Sequence, residues 1–318
     1  MKPVFFCLAV LLIGCESLSS PESDAKQQVS PGPRPLYLSN ALPDGELKQR
    51  LQACKTQPFY RHDFSIGHRG APLMFAEHSK QSYQAAIDMG AGIVECDVAF
   101  TADKQLVCRH AQCDLHQTTD ILLRPELAAK CTTPFSPAEA ASGKAATALC
   151  CTSDITVQEF SGLCAKMDGV NTRAQNAEDY VQGTPGWRTD LYSQCAAPVT
   201  HKESVALFKQ LGVKMTPELK QPEVAMPFNG RYSQQQYAQQ VVDEYKAAGV
   251  APAQVYLQSF NWQDIVYWLE HEPEFARQAV WLDSRYEQPQ FDPMQRSSWQ
   301  PSMAQLKASL EKSKSKAS

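Results

Sequence analysis

Short apolar runs and longer stretches of three-to-four-residue periodicity alternate along this chain. Residues 64–68 (Phe-Ser-Ile-Gly-His) read as a strand, and Ser79 opens a helix that reaches Met89 and stops at Gly90. Two further strands, 92–98 and 105–110, follow with only a turn-like link, 100–104, between them. The rhythm resumes at Thr200-His201-Lys202-Glu203, a capping box opening a helix with Val205, Phe208 and Leu211 on one face, which Gly212 ends. A strand at 213–220 precedes a helix capped by Ser233, carrying Tyr237, Val241, Val242 and Tyr245 and ended by Gly249. A strand at 255–260, an Asn261-capped helix through Trp268 and a strand at 279–282 complete the series. Repeated strand–helix units predict an α/β fold, a parallel sheet with helices outside it, open or closed into a barrel.

Two stretches break the pattern. Residues 111–198 hold Pro, Thr and cysteine with few periodic hydrophobics, which predicts an insertion or lid inside the 41–310 domain. At the other end only six strands can be counted, whereas a closed barrel of this type has about eight. After Trp299 come an amphipathic segment (Met303, Leu306, Leu310) and a polar tail, 311–318. The expectation is a TIM-type barrel lacking its last two strands, or one in which these residues replace them.

The N-terminus changes the reading of the cysteines. Lys2 precedes an apolar run from Phe5 to Ile13, too short to span a membrane as a helix, and Leu12-Ile13-Gly14-Cys15 resembles a bacterial lipoprotein signal. Residues 1–14 would then be removed, Cys15 lipidated, and residues 15–40 a tether to a membrane; an ordinary secretory signal is the alternative. Either way the mature chain is exported, so the cysteines beyond Cys15 are expected to form disulfides rather than a zinc cluster, since no Cys-x-x-Cys pair is present. Cys96 and Cys108 are expected as free buried thiols. A formal net charge of -4 gives no signature of nucleic-acid binding.

The residues with chemistry to offer collect at strand ends, where barrel enzymes carry their sites. His68, Arg69, Glu95, Asp97, His110, Glu218 and Lys220 all fall there. Glu95 and Asp97 share one face of a strand, and two buried carboxylates side by side call for a cation. With Glu218 as a third ligand the donor set is all oxygen, which suits Ca²⁺ best and Mg²⁺ next. Two histidines and an arginine beside such a cation suit phosphoester chemistry. His78 and His116 read as packing or loop histidines, and His62, His201 and His271 as solvent-facing. Phe260 and Trp262 could wall a pocket but read as core.

Several ordered blocks resemble the glycerophosphodiester phosphodiesterases: His68-Arg69-Gly70, Glu77-His78-Ser79, Glu95-Cys96-Asp97-Val98, Thr101-x-Asp103, His110, Pro217-Glu218-Leu219-Lys220 and Gln258-Ser259-Phe260. The resemblance implies a barrel that hydrolyses glycerophosphodiesters to sn-glycerol 3-phosphate and an alcohol. It implies His68 and His110 as general acid and base, Arg69 and Lys220 facing the phosphate, Glu77 supporting that substrate site, and Glu95, Asp97 and Glu218 as metal ligands. Ala111 stands where the family usually has Asp, with Asp114 as a possible substitute, and Ala76 stands where it has Pro. Two other readings stay open: a phospholipase-like enzyme acting on a lipid phosphodiester, and an inactive, incomplete barrel serving as a binding lipoprotein.

Overall fold

The computed structural model describes residues 27–189, 191–192, 194–284, 291–292, 294–297 and 308. Its centre is a six-stranded sheet in the spatial order β6-β5-β4-β2-β1, with β3 paired to β2. The strands are β1 (His62–Gly67), β2 (Ala91–Phe100), β3 (Leu106–Cys108), β4 (Lys214–Leu219), β5 (Gln258–Ser259) and β6 (Val280–Trp281). All neighbouring pairs run parallel except β2 and β3. The expected six strands are therefore present, but β3 is antiparallel, because a five-residue turn is far too short for a parallel crossover.

Helices α1 (Lys80–Asp88), α2 (His201–Gln210), α3 (Gln234–Ala247) and α4 (Trp262–His271) cover one side of this sheet. Ser79, Thr200, Ser233 and Asn261 each cap a helix by accepting a backbone N–H, as these residue types favour. The main core lies between helices and sheet, built on Val94, Val98, Phe100, Phe208, Tyr237, Val241, Tyr245 and Trp268. Phe100 sits edge-on to both Tyr232 and Tyr237, the orientation that ring quadrupoles favour. Among the described residues β1 has no partner on its outer edge; Phe64 is 92% and Ile66 53% exposed there. The described sheet is thus an open half-barrel. No helix among the described residues is long and apolar enough to cross a membrane.

The insertion packs a second core around Leu115, Ile121, Phe160 and Tyr180. Disulfides Cys113–Cys151, Cys131–Cys150 and Cys164–Cys195 cross-link it. Four expectations change, the first being that Cys54 is free and exposed rather than in a disulfide. Cys96 and Cys108 are bonded to each other, not free: in the hairpin register Cys108 lies opposite Val98, which shares a face with Cys96. His201 is buried rather than solvent-facing, its Nδ1 2.8 Å from Glu244 Oε2, because its place in the first turn of α2 faces α3. Part of the stretch expected as tether is ordered: Gln28–Val29 pairs with Phe59–Tyr60, and Arg34–Ala41 is a helix entered through prolines. Cys15, the signal segment, the amphipathic positions Met303, Leu306 and Leu310 and the polar tail lie outside the described residues.

The Cys96–Cys108 bond closes a loop with a sequence separation of 12, for which loop-closure entropy corresponds to about 3 kcal/mol. Replacing both cysteines (C96A/C108A) is expected to lower unfolding stability by about that amount, read as a lowered denaturant midpoint with a slope that rises because the unfolded chain is no longer cross-linked.

Candidate active site

Strand register assembles the site. Asp97 on β2 lies directly beside Glu218 on β4, and Glu218 lies beside Gln258 on β5. Glu95, two residues before Asp97, shares its face, and Val94 pairs with Gly67, which brings the segment after β1 alongside Glu95. One oxygen from each of Glu95, Asp97 and Glu218 lies within 4.8 Å of the others, and all three residues are buried.

The chain turns sharply after β1. Arg69 and Gly70 both have positive φ, 58° and 87°, and a side chain on Gly70 would strike the backbone and hydroxyl of Ser82 at 2.4–2.8 Å, so glycine is required. This turn aims the Arg69 amide at Glu95, to which it donates a 3.0 Å hydrogen bond. It also leaves His68 exposed at the mouth, its Nε2 3.5 Å from Glu95 Oε2. The Arg69 guanidinium donates to Glu77 Oε2 at 3.0 Å and comes within 3.7 Å of Asp97. Glu77 itself is buried, and the residues that line the cavity include Arg69 but not Glu77. Lys220 donates to Glu218 Oε1 at 2.6 Å.

These groups border a cavity of about 510 Å³, with His68, Arg69, Glu95, His110, Glu218 and Lys220 on its polar wall. Phe260, 44% exposed, lines it too, whereas Trp262 packs edge-on against Trp281. The structure thus brings the two histidines, Arg69, Lys220 and the three carboxylates to one place, with Glu77 behind Arg69.

Burial, reinforced by the charges of Asp97 and Glu218, pushes the Glu95 carboxyl up to about 8. Burial and Asp97 push Glu218 up to about 7 despite Lys220, and burial also raises Asp97. His110 moves the other way: burial, then Lys220 and Arg69, lower it to about 4. Protein cations therefore leave the carboxylate cluster under-neutralised. Asp97 Oδ1 is buried with no hydrogen-bond partner, and a bound cation would satisfy it. A three-carboxylate, all-oxygen set with one such orphaned atom fits Ca²⁺ or Mg²⁺.

Two residues escaped the sequence reading. His78, expected as packing or loop, is fully buried and lies 2.8 Å from Asp97 Oδ2. Gln258 donates to Glu95 Oε1 at 2.8 Å. Both stand in family-like blocks, Glu77-His78-Ser79 and Gln258-Ser259-Phe260, but nothing there gave either a role, and the orientation of His78 depends on a positive φ of 52°. His116 is buried in the insertion, beneath the Cys150 amide, while His62 and His271 are exposed. Asp114 accepts from the Ala111 amide at 3.1 Å and from Thr118, so it holds the backbone after His110 rather than its ring.

Comparison with known proteins places the family. A protein of Arthroderma benhamiae named as an extracellular protein is 53% identical over 125 residues, 39% of this chain and 51% of that protein. A Mycobacterium tuberculosis protein carrying the name glycerophosphodiester phosphodiesterase 1 is 47% identical over 49 residues, 15% of this chain and 18% of its own length. The chain thus spans about half, or less, of the curated relatives it matches. A solved structure from Silicibacter pomeroyi, described as a glycerophosphoryl diester phosphodiesterase, shares the fold at a TM-score of 0.50 and 17% identity, covering 73% of this chain and 68% of that one. The model of the glycerophosphoryl diester phosphodiesterase family matches residues 68–311, from the first histidine of the site, just after β1, through β2 to β6. The chain belongs to the glycerophosphoryl diester phosphodiesterase family.

Proposed function

We propose that the chain hydrolyses glycerophosphodiesters to sn-glycerol 3-phosphate and an alcohol. The observation that carries this reading is the meeting, at one strand-end cavity, of three under-neutralised carboxylates with two histidines, an arginine and a lysine. Glu95, Asp97 and Glu218 would hold a divalent cation, Ca²⁺ or Mg²⁺, which when bound supplies positive charge to the phosphate oxygens. Arg69 and Lys220 would hold those oxygens from the protein side. His110, neutral near pH 7, is suited to take the proton of the substrate's neighbouring hydroxyl as that oxygen bonds to phosphorus. His68, at the mouth, would give a proton to the departing alcohol oxygen as its bond to phosphorus breaks. Water then opens the cyclic phosphate with the two roles reversed.

Ile66 and Phe260, both exposed at the cavity, favour one second substrate class, lysophospholipids, whose acyl chain would lie along them. Comparison of turnover on glycerophosphocholine and lysophosphatidylcholine decides between the two. Four disulfides favour an oxidising compartment, as does the extracellular relative. Lipid attachment at Cys15 and membrane tethering rest on the signal-like N-terminus.

Release of glycerol phosphate from glycerophosphocholine is expected to cease in excess chelator. H68A and H110A are each expected to lower kcat by about 10²–10⁴-fold. Full turnover in chelator, or in H68A, would sink the proposal; cation binding without any turnover would favour a binding role instead.

Cation binding is also expected to release protons. Glu95 and Glu218 titrate near 8 and 7 in the cation-free fold, against 4.5 when free in water. Between about pH 6.5 and 8 those two carboxyls hold more protons in the folded state without cation than in the unfolded chain, so their contribution to stability falls as pH rises, whereas below that window the lowered His110 acts in the opposite sense. Cation affinity changes in the opposite sense, rising with pH because ligation needs both carboxylates ionised. Titration calorimetry at pH 7 in buffers of different ionisation heat reads the released protons, and thermal melts from pH 5 to 8 with and without CaCl₂ read the two slopes.

A further inference from the structure

His78 is a buried histidine for which the reaction above has no use. Both of its ring nitrogens are engaged inside the protein: Nε2 lies 2.8 Å from Asp97 Oδ2, and Nδ1 lies 2.9 Å from the Tyr83 hydroxyl. His78 and Tyr83 are both fully buried, so neither reaches the cavity or a substrate. An ionised Asp97 can only accept, which makes His78 Nε2 the donor; Nδ1 then carries the lone pair and accepts from Tyr83. The hydrogen bonds run one way, from Tyr83 through His78 to a single oxygen of Asp97.

Each member is fixed independently. His78 occupies the left-handed region at φ 52°, just before Ser79, the cap of α1. Its amide donates to the Arg69 carbonyl at 3.1 Å, which ties it to the turn bearing His68. Tyr83 sits one turn into α1, edge-on to His78 and, at 4.9 Å, to Phe208 of α2. The other Asp97 oxygen, Oδ1, is buried and has no partner, within a residue whose neighbours across and along the sheet are Glu218 and Glu95.

We infer that Tyr83 and His78 form a buried relay that occupies one oxygen of Asp97 and thereby presents the other as a single-oxygen cation ligand. This rests on the cation reading proposed above. The two are positioning residues, acting on the cation only through Asp97. A carboxylate free to turn could offer both oxygens or neither; one held by a rigid donor keeps one plane and one denticity, which is how outer residues tune an inner ligand set. The relay also explains why the position is buried: a water-exposed donor would exchange with solvent and lose its hold.

Calorimetric titration of the full chain with CaCl₂, and separately with MgCl₂, tests it on wild type, H78A, H78Q and Y83F, alongside melts of each without cation. H78A is expected to bind cation about 10–100-fold more weakly. Y83F, which removes only the hydroxyl, is expected to shift affinity in the same direction by less, and H78Q, whose amide can still donate to Asp97, to recover part of the loss. Raising the cation concentration is expected to restore kcat in all three, a rescue that general damage to the fold would not give. Unchanged affinity in a folded H78A overturns the relay. If H78A does not fold, Y83F decides, and wild-type affinity there overturns it. A wild-type chain that binds neither cation overturns the proposed function, and the relay with it; wild-type binding with indifferent variants overturns the relay alone.

Discussion

Mutual repulsion among three buried carboxylates organises this half-barrel. Glu95, Asp97 and Glu218 sit on adjacent strands with their oxygens within 4.8 Å, and the register that pairs Asp97 with Glu218 leaves them no room to separate. Of the nearby cations, Lys220 serves Glu218, while the Arg69 guanidinium makes its closest contact with Glu77. The repulsion raises the affinity of these acids for protons and, by the same physics, for a divalent cation. It also governs the surroundings: every group placed against the cluster is a donor, from the Arg69 amide to Gln258 and His78.

Such a cluster is unstable unless the strands bearing it are held together by something else. The period of two in β2 divides the work. Glu95, on the cavity wall, and Asp97, buried beside it, share one face, while Val94, Cys96 and Val98 face the main core. There Cys96 is bonded to Cys108, so the ligand strand is cross-linked to the strand leading to His110 on the side away from the charges. The helices close over the same side, and the polar face is left to chemistry.

Much of this was legible in residues. The six strands, the caps at Ser79, Thr200, Ser233 and Asn261, and the cavity set of His68, Arg69, Glu95, His110, Glu218 and Lys220 follow from local periodicity, capping chemistry and the order of motifs. What was not legible depended on pairing rather than pattern. The Cys96–Cys108 bond requires the hairpin register, which a one-residue slip would reverse. His201 and His78 look alike in sequence, each beside a helix start. One faces Glu244 on a neighbouring helix and the other reaches a carboxylate 19 residues away across the sheet. Burial of a polar side chain is set by tertiary packing, and no local signal carries it.

Bonds to the backbone hold the segments that carry the site. With Ala111 in place of an aspartate, the carboxylate of Asp114 reaches back to the Ala111 amide, fixing the backbone that follows His110. Beside it, Arg109 is fully buried and donates through Nη2 to the Glu77 carbonyl at 2.6 Å and through Nε to the Cys108 carbonyl at 2.7 Å. That side chain ties the end of β3 to the loop carrying Glu77 and His78, and hence to Arg69 and Asp97. A buried guanidinium is costly to solvate poorly, and here it sits where one residue can relate the His110 strand to the ligand strand. The site is therefore fixed by donors to backbone carbonyls as much as by its own side chains. Loss of Arg109 would free the loop carrying Glu77 and His78 from the end of β3.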